Sequence, residues 1–498
     1  MDLNESQFIQ NYKEDMIRSL LMMEPDWDPT EISDILDKEI KKKFQNPVVN
    51  IDNNFKHENQ DTTLLTVMDW ALDKDPIIAG NGTFYRNQHQ AENPVANMLD
   101  GMLKARKATK KKMLDLKDKT SFEYKDLDLK QGNYKKNANS YYGGSGMPAS
   151  AFYSKWSGGA TTSSAQSVIS TCYSTFEGFI ADNYLFYDFT ECCNWLMTVI
   201  DQINEDPVND VWLKHHTKDD VFIKLKDMFY DWKDKYEEPL WKLVNNLSDD
   251  EIDRVYYRNR LHEFTEDHEV LLTLHKLIME SVEINPLVPN NVIKDFNKGV
   301  NPDWESYIPD KYKGMFNNPD DYNLEMSKLA FMDPNAVPDN IKAYVEELAD
   351  YHLKYVYTRY MVFDRIYRLK NFGRKTVVVI DTDSNILALD QYMKFANESF
   401  GKYCDKPKEN KEFIIINTIT YTLTRLITDT LLFYGLCSNI PEEFRGRYAM
   451  KNEFFMRKLV ISSETKKRYM SLFKLREGKL LNPPKTDIKG LKSRSLVK

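Results

Sequence analysis

The sequence is short of the features that would place it in a membrane, outside the cell or around a thiolate-bound metal. No apolar run among its 498 residues approaches the length needed to cross a bilayer. Its first residues, Met1-Asp2-Leu3-Asn4-Glu5, are acidic and polar and do not form a secretory signal. The five cysteines are odd in number and show no metal-ligand spacing. We therefore expect reduced thiols, no membrane partner and a cytoplasmic location.

Positive charge is also in deficit overall, which at first argues against a nucleic-acid partner. The formal net charge is −8, from 68 Lys and Arg against 76 Asp and Glu. The charge is unevenly placed, however, because residues 104–112 form a basic cluster and residues 466–498 are dense in Lys and Arg. Local patches matter more than the sum for binding a polyanion, so a nucleic-acid partner stays open.

The sequence is organised around a strand that runs into two aspartates. A β-branched run at residues 376–380 predicts a buried strand, and the following D-T-D-S predicts a tight turn. Asp381 and Asp383 lie two apart, so their carboxylates point to the same side of a hairpin. Two like charges held together are stabilised by a hard divalent cation, Mg²⁺ or Mn²⁺. The alternative interpretation is a polar hairpin tip in water.

A basic pair lies on a predicted helix that begins after Asn93. Asn93 followed by Pro94 is typical of a helix N-terminus, and the helix is expected to run to about Leu116. Arg106 and Lys110 continue the apolar stripe of this helix instead of opposing it. They either complement the helix dipole near its C-terminal end or bind a ligand.

A second helix carries Lys135, Asn139 and Tyr142 at spacings of i, i+4 and i+7, which puts all three on one face. It is expected to end in the glycines at residues 143–146. Such a face could bind a phosphate and a base, or it could be ordinary solvated surface. A third helix is expected over residues 157–179, where small residues allow close backbone packing.

The other segments show no catalytic pattern. Residues 50–63 are polar and are expected to form a loop. Asn81-Gly82 between apolar flanks predicts a β-hairpin with a type I′ turn. Residues 181–370 are acidic and helical, with a capping box at Ser248, a loop-rich stretch at 288–335 and a long helix at 338–370. Three of their histidines, His262, His268 and His275, lie at spacings of six and seven and so share no helix face as metal ligands would. Farther on, the sequence predicts a helix or strand at 413–433 and strands at 450–455 and 458–461.

Taken in order, several of these segments resemble a family B DNA polymerase. The resemblance covers about residues 76–179 and 374–491. Residues 135–143 match the family's second motif, K-x-x-x-N-S-x-Y-G, at every fixed position. The other matching segments are D-T-D-S at 381–384, K-K-R-Y at 466–469 for the family's K-K-x-Y, the palm-to-thumb junction at 487–491, and the basic pair Arg106 and Lys110 of the first fingers helix.

The resemblance implies template-directed addition of dNTPs to a primer 3′-OH. It also implies two divalent ions as cofactors, either Mg²⁺ or Mn²⁺. It implies three groups of site residues: catalytic and metal-binding Asp381 and Asp383; dNTP-binding Arg106, Lys110, Lys135, Asn139 and Tyr142; and primer–template DNA-binding Lys466, Lys467, Arg468, Tyr469 and Lys489.

The sequence also departs from the family. The first motif, D-x-x-S-L-Y-P, supplies a second metal carboxylate, and it is not found before Pro76. The sequence at Asp2 matches this motif poorly. The sequence at Asp188 matches it better, but Asp188 falls after the second motif, where it suits a helix cap. The exonuclease motifs and the thumb are not found either, and residues 181–370 separate two motifs that normally lie close in sequence.

We therefore expect an α+β fold, with a small antiparallel palm sheet, a two-helix fingers projection and a large helical insertion. The chain would be one subunit of a split, virus-like enzyme, located in the host cytoplasm if viral, with a second polypeptide supplying the first motif, exonuclease and thumb. Two alternatives stay open: a catalytically impaired paralogue that binds DNA and dNTPs, and a self-sufficient polymerase that uses Asp188 or Asp2. The expected divisions are an N-terminal segment at 1–92, fingers helices at 93–145, a palm helix at 146–180, an insertion at 181–370, the palm with the D-T-D-S hairpin at 371–484 and the start of the thumb at 485–498.

Overall fold

A computed structural model of the chain divides into two compact units, each made of separate stretches of sequence. Unit 1 comprises Met1–Lys13, Lys38–Ser170 and Leu432–Arg447, and unit 2 comprises Glu14–Asp37, Thr171–Leu431 and Tyr448–Lys498. The structure describes residues 3–53, 58–87, 89, 93–116, 118–181, 183–205, 214–266, 350, 353–358, 373–381, 384–390, 408–450, 452–462, 468–476 and 479–490.

The first part of the chain alternates helices with two short hairpins. Its elements are α1 (Gln7–Met23), α2 (Pro29–Lys43), β1 (Val48–Asn53), β2 (Glu58–Thr63), α3 (Leu64–Lys74), β3 (Ile77–Ile78), β4 (Phe84–Tyr85), α4 (Pro94–Asp115), α5 (Phe122–Ser145) and α6 (Lys155–Ala181).

The rest of the described chain is a helical segment followed by two antiparallel sheets and a long helix between them. Its elements are α7 (Phe189–Glu205), α8 (Lys218–Asp227), α9 (Glu237–Asn245), α10 (Asp249–Tyr257), α11 (Leu261–Glu266), β5 (Val377–Asp381), β6 (Ser384–Leu387), α12 (Lys408–Cys437), α13 (Glu442–Arg445), β7 (Phe454–Ile461), β8 (Tyr469–Arg476) and β9 (Lys479–Lys489). This mixture of helices and small antiparallel sheets confirms the α+β class.

Helices α4 and α5 begin where their capping residues predict. The Asn93 side chain accepts hydrogen bonds from the backbone N–H groups of Val95 and Ala96 at 3.1 and 3.2 Å. The Ser121 hydroxyl accepts one from Tyr124 N–H at 3.1 Å. Each cap satisfies donors that the first helical turn leaves unpaired. The two helices pack against each other in unit 1, as an α-helical hairpin does.

The prediction of a loop at residues 50–63 is wrong, because the described residues there form an antiparallel hairpin of β1 and β2. Polar side chains pair across it, since Asn50 Nδ2 donates to Asp61 Oδ1 at 2.8 Å and the two residues are register partners. Cross-strand hydrogen bonds of this kind stabilise a sheet without any apolar alternation. The sequence of this hairpin therefore lacks the alternation of apolar and polar residues that usually indicates a strand.

The hairpin at Asn81-Gly82 is confirmed, but its turn is not type I′. Gly82 has a φ of 78°, whereas Asn81 is absent from the described non-glycine residues with positive φ. Gly82 N–H donates to Ala79 O at 2.8 Å, and Ala79 N–H donates to Thr83 O at 3.0 Å. This arrangement is a type I turn followed by a left-handed glycine, which is a common three-residue hairpin connection.

The small residues of α6 allow the close packing that the sequence predicts. Gly80 N–H donates to Ser164 Oγ at 3.1 Å. A Cβ atom at Gly80 would lie 2.8 Å from the backbone oxygen of Ser163, closer than such atoms approach each other. Gly80 is therefore required for the β3–β4 hairpin to lie against α6.

The helical part of unit 2 is held by a buried cation. Lys224 is 1% exposed, and its ammonium donates to the carbonyls of Val255, Tyr256 and Arg258 at the end of α10. The predicted capping box at Ser248 and Glu251 is confirmed at the start of the same helix. The predicted loops at 288–335, His268, His275 and most of the predicted helix at 338–370 lie outside the described residues. Within that predicted helix, residues 353–355 are helical but residues 357–358 are not, so the prediction of one continuous helix is wrong.

The ambiguous apolar run at residues 413–433 is helical, as part of α12. Its β-branched threonines fit the helix because their hydroxyls bond back to carbonyls one turn earlier. Thr424 Oγ1 donates to Thr420 O at 2.8 Å, and Thr428 Oγ1 donates to Thr424 O at 2.7 Å. This local bonding offsets the low helix propensity of threonine.

Candidate active site

The D-T-D-S hairpin forms as predicted, in unit 2. Strands β5 and β6 pair antiparallel, with Asp381 opposite Ser384 as the last pair before the tip. Val377 is fully buried at the start of β5, which explains the β-branched run. Asp381 is half-buried, and the neighbouring Thr382 and Asp383 lie outside the described residues.

A glutamate on α6 anchors the chain where it enters β5. The Glu177 side chain accepts hydrogen bonds from the backbone N–H groups of Lys375, Thr376 and Val377, at 2.6–2.9 Å. It also accepts one from Asn183 Nδ2 at 2.6 Å. The sequence analysis did not select this residue. One signal could have found it, because Glu177 is the only acidic residue of the 27-residue α6.

Strands β7, β8 and β9 form a three-stranded antiparallel sheet in the same unit. Tyr469 pairs with Lys489, and Ser471 pairs with Asp487. Residues two apart along a strand share a face, so Tyr469, Ser471, Asp487 and Lys489 lie on one side of this sheet. Lys489 Nζ is 3.8 Å from Asp487 Oδ2. The sheet thus brings residues of two predicted motifs together.

The electrostatics of Tyr469 connect this sheet to the hairpin. Burial raises the pKa of the Tyr469 phenol, and the negative charges of Asp487 and Asp381 raise it further. Asp381 therefore lies close enough to Tyr469 to act on its charge. Arg468, beside Tyr469, is exposed, whereas Lys466 and Lys467 lie outside the described residues.

The predicted dNTP-binding residues lie on the paired helices of unit 1. On α4, Arg106 and Lys110 are half-buried, and the Arg106 Nε atom is buried without a hydrogen-bond partner within the described part of the chain. On α5, Lys135, Asn139 and Tyr142 are exposed on one face. The described structure therefore groups the predicted residues into a fingers set in unit 1 and a hairpin-and-sheet set in unit 2.

Tyr142 is fixed by a contact with α6. Its hydroxyl lies 2.7 Å from Thr162 Oγ1, within hydrogen-bond distance, and its ring remains 47% exposed. The end of α5 is closed by Ser145, whose hydroxyl donates to Tyr142 O at 2.7 Å. An aromatic side chain with a fixed polar end and an open ring face suits stacking against a planar ligand.

The donor chemistry fits a hard divalent cation. Asp381 and Asp487 supply carboxylate oxygens, which Mg²⁺ and Mn²⁺ prefer over sulfur. Cys172, Cys192 and Cys193 are buried, and burial raises the pKa of each thiol. Over the described ranges, which omit Asp383, no three His, Cys, Asp or Glu side chains are grouped to hold a metal ion.

Asp188, one partial match to the first motif, caps a helix as predicted. Its Oδ1 atom accepts a hydrogen bond from Glu191 N–H at 2.9 Å, at the start of α7. The Glu191 side chain in turn accepts one from Tyr187 N–H at 2.9 Å. Asp2, the other partial match to that motif, lies outside the described residues.

Comparison with known proteins gives one match. The family model described as Divergent Family B DNA polymerase matches residues 4–496, nearly the whole chain. The chain therefore belongs to the divergent family B DNA polymerases. No curated protein and no solved structure matches it. Among the described helices, none is long and apolar enough to cross a bilayer.

Proposed function

We propose that this chain is a DNA-directed DNA polymerase that adds dNTPs to a primer 3′-OH under the direction of a template. The observation that carries the proposal is the strand register that pairs Tyr469 with Lys489 and Ser471 with Asp487, together with the effect of the Asp381 charge on Tyr469. It brings the D-T-D-S hairpin, the K-K-R-Y motif and the junction motif into one neighbourhood, as a polymerase palm requires. The family match over residues 4–496 supports the same activity.

Asp381 and Asp383 hold the divalent ions in this proposal. Bound Mg²⁺ or Mn²⁺ would stabilise the charge that develops on the attacking and leaving oxygens of nucleotidyl transfer. Asp381 is oriented by its strand, since it closes the β5–β6 ladder opposite Ser384. A carboxylate held in place before the metal binds contributes more to catalysis than a mobile one.

The fingers residues bind the incoming nucleotide. Arg106 is half-buried on α4, and its guanidinium group suits bidentate contact with a phosphate. Lys110 and Lys135 add point charges for the triphosphate, and Asn139 orients it. Tyr142 packs beneath the nascent base pair, since its ring is open while its hydroxyl contacts α6.

The β7–β9 sheet holds the primer–template backbone. Arg468 and Lys489 are exposed beside Tyr469, and Lys466 and Lys467 precede them in sequence. Contacts between such cations and phosphates position DNA without reading its sequence, and they weaken as salt rises.

Primer extension with single-residue variants tests the proposed activity. Asp383→Ala and Asp381→Asn should abolish extension while the affinity for primer–template DNA changes little. Asp390→Ala is the matched control, because Asp390 is an exposed carboxylate shortly after the same hairpin. Extension by Asp383→Ala at the wild-type rate would refute the metal role. DNA and dNTP binding without any extension by the wild type would identify a catalytically impaired paralogue.

We infer further that a second polypeptide supplies the first-motif carboxylate and, with it, exonuclease and thumb. The D-x-x-S-L-Y-P motif does not occur in this sequence, and Asp188 is engaged as a helix cap. The purified chain alone should therefore extend a primer slowly, and a protein from the same source that carries this motif should accelerate it. Rapid, processive extension by the isolated chain would contradict the need for a partner.

A further inference from the structure

Glu177 on α6 is a buried carboxylate whose contacts reach the chain that enters β5. The Glu177 side chain is 0% exposed.

 

Both oxygens of this buried carboxylate act as acceptors. Glu177 Oε1 accepts from the N–H groups of Thr376 and Val377 at 2.9 and 2.6 Å. Oε2 accepts from Lys375 N–H at 2.9 Å and from Asn183 Nδ2 at 2.6 Å. Three successive backbone amides therefore bond to one side chain from a different element. A buried carboxylate is costly unless its oxygens are satisfied in this way.

The same carboxylate network ties down the chain just before the strand. Asn183 Nδ2 also donates to Gly373 O at 2.6 Å, so Asn183 links Glu177 to the segment that enters β5. On the other side of the hairpin, Ala388 N–H donates to Thr376 O at 2.8 Å. The base of the hairpin is thus held at both its entry and its exit.

A two-stranded hairpin this short needs such an anchor. Strands β5 and β6 have five and four residues, and an isolated pair of this size is marginally stable in water. Asp381 lies four residues beyond Val377, about 13 Å along an extended strand. A small rotation at the anchored end would therefore displace the Asp381 carboxylate.

We propose that Glu177 is a positioning residue for nucleotidyl transfer, which sets the placement of the D-T-D-S carboxylates by fixing the backbone of residues 375–377. This inference rests on the proposed polymerase function. Glu177 itself contacts neither substrate nor metal in this account.

Glu177→Gln tests the proposal, because its amide group must turn an N–H donor toward backbone N–H donors. We expect kcat for single-nucleotide addition, measured with enzyme in excess over primer–template, to fall by about 100-fold. The KM for dNTP and the Kd for primer–template DNA should change little. Hydrogen–deuterium exchange should quicken at residues 373–381, a readout that does not depend on activity.

Glu251→Gln is the matched control. The Glu251 side chain also accepts a backbone hydrogen bond, from Ser248 N–H at 2.8 Å, but on the capping box of α10. The same chemical change there should leave kcat and the exchange of residues 373–381 unchanged. If Glu177→Gln does not fold, Asn183→Ala removes one of the four donors and should give a smaller loss of kcat.

The outcomes separate the two proposals. If the wild type does not extend a primer, the proposed function fails. If the wild type extends and folded Glu177→Gln keeps the wild-type kcat, the function stands and the positioning role is overturned. Rapid exchange of residues 375–377 in the wild type would overturn the anchor directly.

Discussion

Replacing the buried Lys224 should destabilise the helical part of unit 2 far more than replacing a solvent-accessible lysine. The Lys224 ammonium donates to Val255 O at 3.0 Å and Tyr256 O at 2.8 Å, and it also donates to Arg258 O. It lies 5.5 Å from the centre of the Trp195 ring. Lys224→Met keeps most of the apolar stem and removes the charged group.

The expected loss in the free energy of unfolding follows from the carbonyls that remain when the ammonium group is removed. Three carbonyls would lose a charged donor in a site that is closed to water, and a buried acceptor left without a donor costs about 1–3 kcal/mol for each group left unsatisfied. The variant no longer has to bury a charged ammonium group, and this gain limits the net loss of stability. Because a folded domain is stable by about 5–15 kcal/mol, this is a large fraction of the total.

Lys218→Met provides the comparison. Lys218 Nζ also donates to a backbone carbonyl, that of Asn245 at 2.6 Å, but at an exposed contact. Its loss should cost about 1 kcal/mol or less. Urea unfolding of both variants, followed by circular dichroism and tryptophan fluorescence, measures the difference. Equal unfolding midpoints for Lys224→Met and Lys218→Met would refute the reasoning.

Three further predictions concern the fingers, the DNA contact and alkaline stability. Thr162→Val should release the Tyr142 hydroxyl and raise misincorporation several-fold in a single-nucleotide assay, with little change in thermal stability, since the contact is exposed; unchanged fidelity would count against the role of Tyr142. Lys489→Ala should reduce the slope of log Kd against log salt for primer–template DNA by about one; an unchanged slope would exclude a phosphate contact. Burial raises the pKa of Cys172 and Cys193 to about 12 each, so their contribution to stability is full below the ordinary thiol pKa and is lost as the pH rises toward 12. The urea midpoint should therefore fall between pH 8 and pH 11, and Cys172→Ala should reduce that fall; a flat profile would contradict it.

The elements with strong local signals were predictable from the sequence. Asn93 marks the start of α4 because capping depends only on neighbouring residues. The β-branched run before Asp381 marks a strand for the same reason, and the structure pairs it as expected, although Val377 is buried and Ile380 is exposed.

The features that depend on distant residues were not predictable. Glu177 bonds to amides about two hundred positions away, so no local pattern reveals its role. The β1–β2 hairpin is paired through Asn50 and Asp61, and polar pairs of this kind resemble a loop in sequence. The β3–β4 hairpin lies against α6 through Gly80, a contact that the Asn-Gly pair alone does not reveal.

Template-dependent incorporation of a single nucleotide tests the central claim most directly. With Mn²⁺ or Mg²⁺ and enzyme in excess, the chain should add only the dNTP complementary to each of the four templating bases, slowly if a partner is needed. Asp381→Asn should remove this incorporation, and Asp390→Asn should retain it. Incorporation by Asp381→Asn at the wild-type rate would contradict the account.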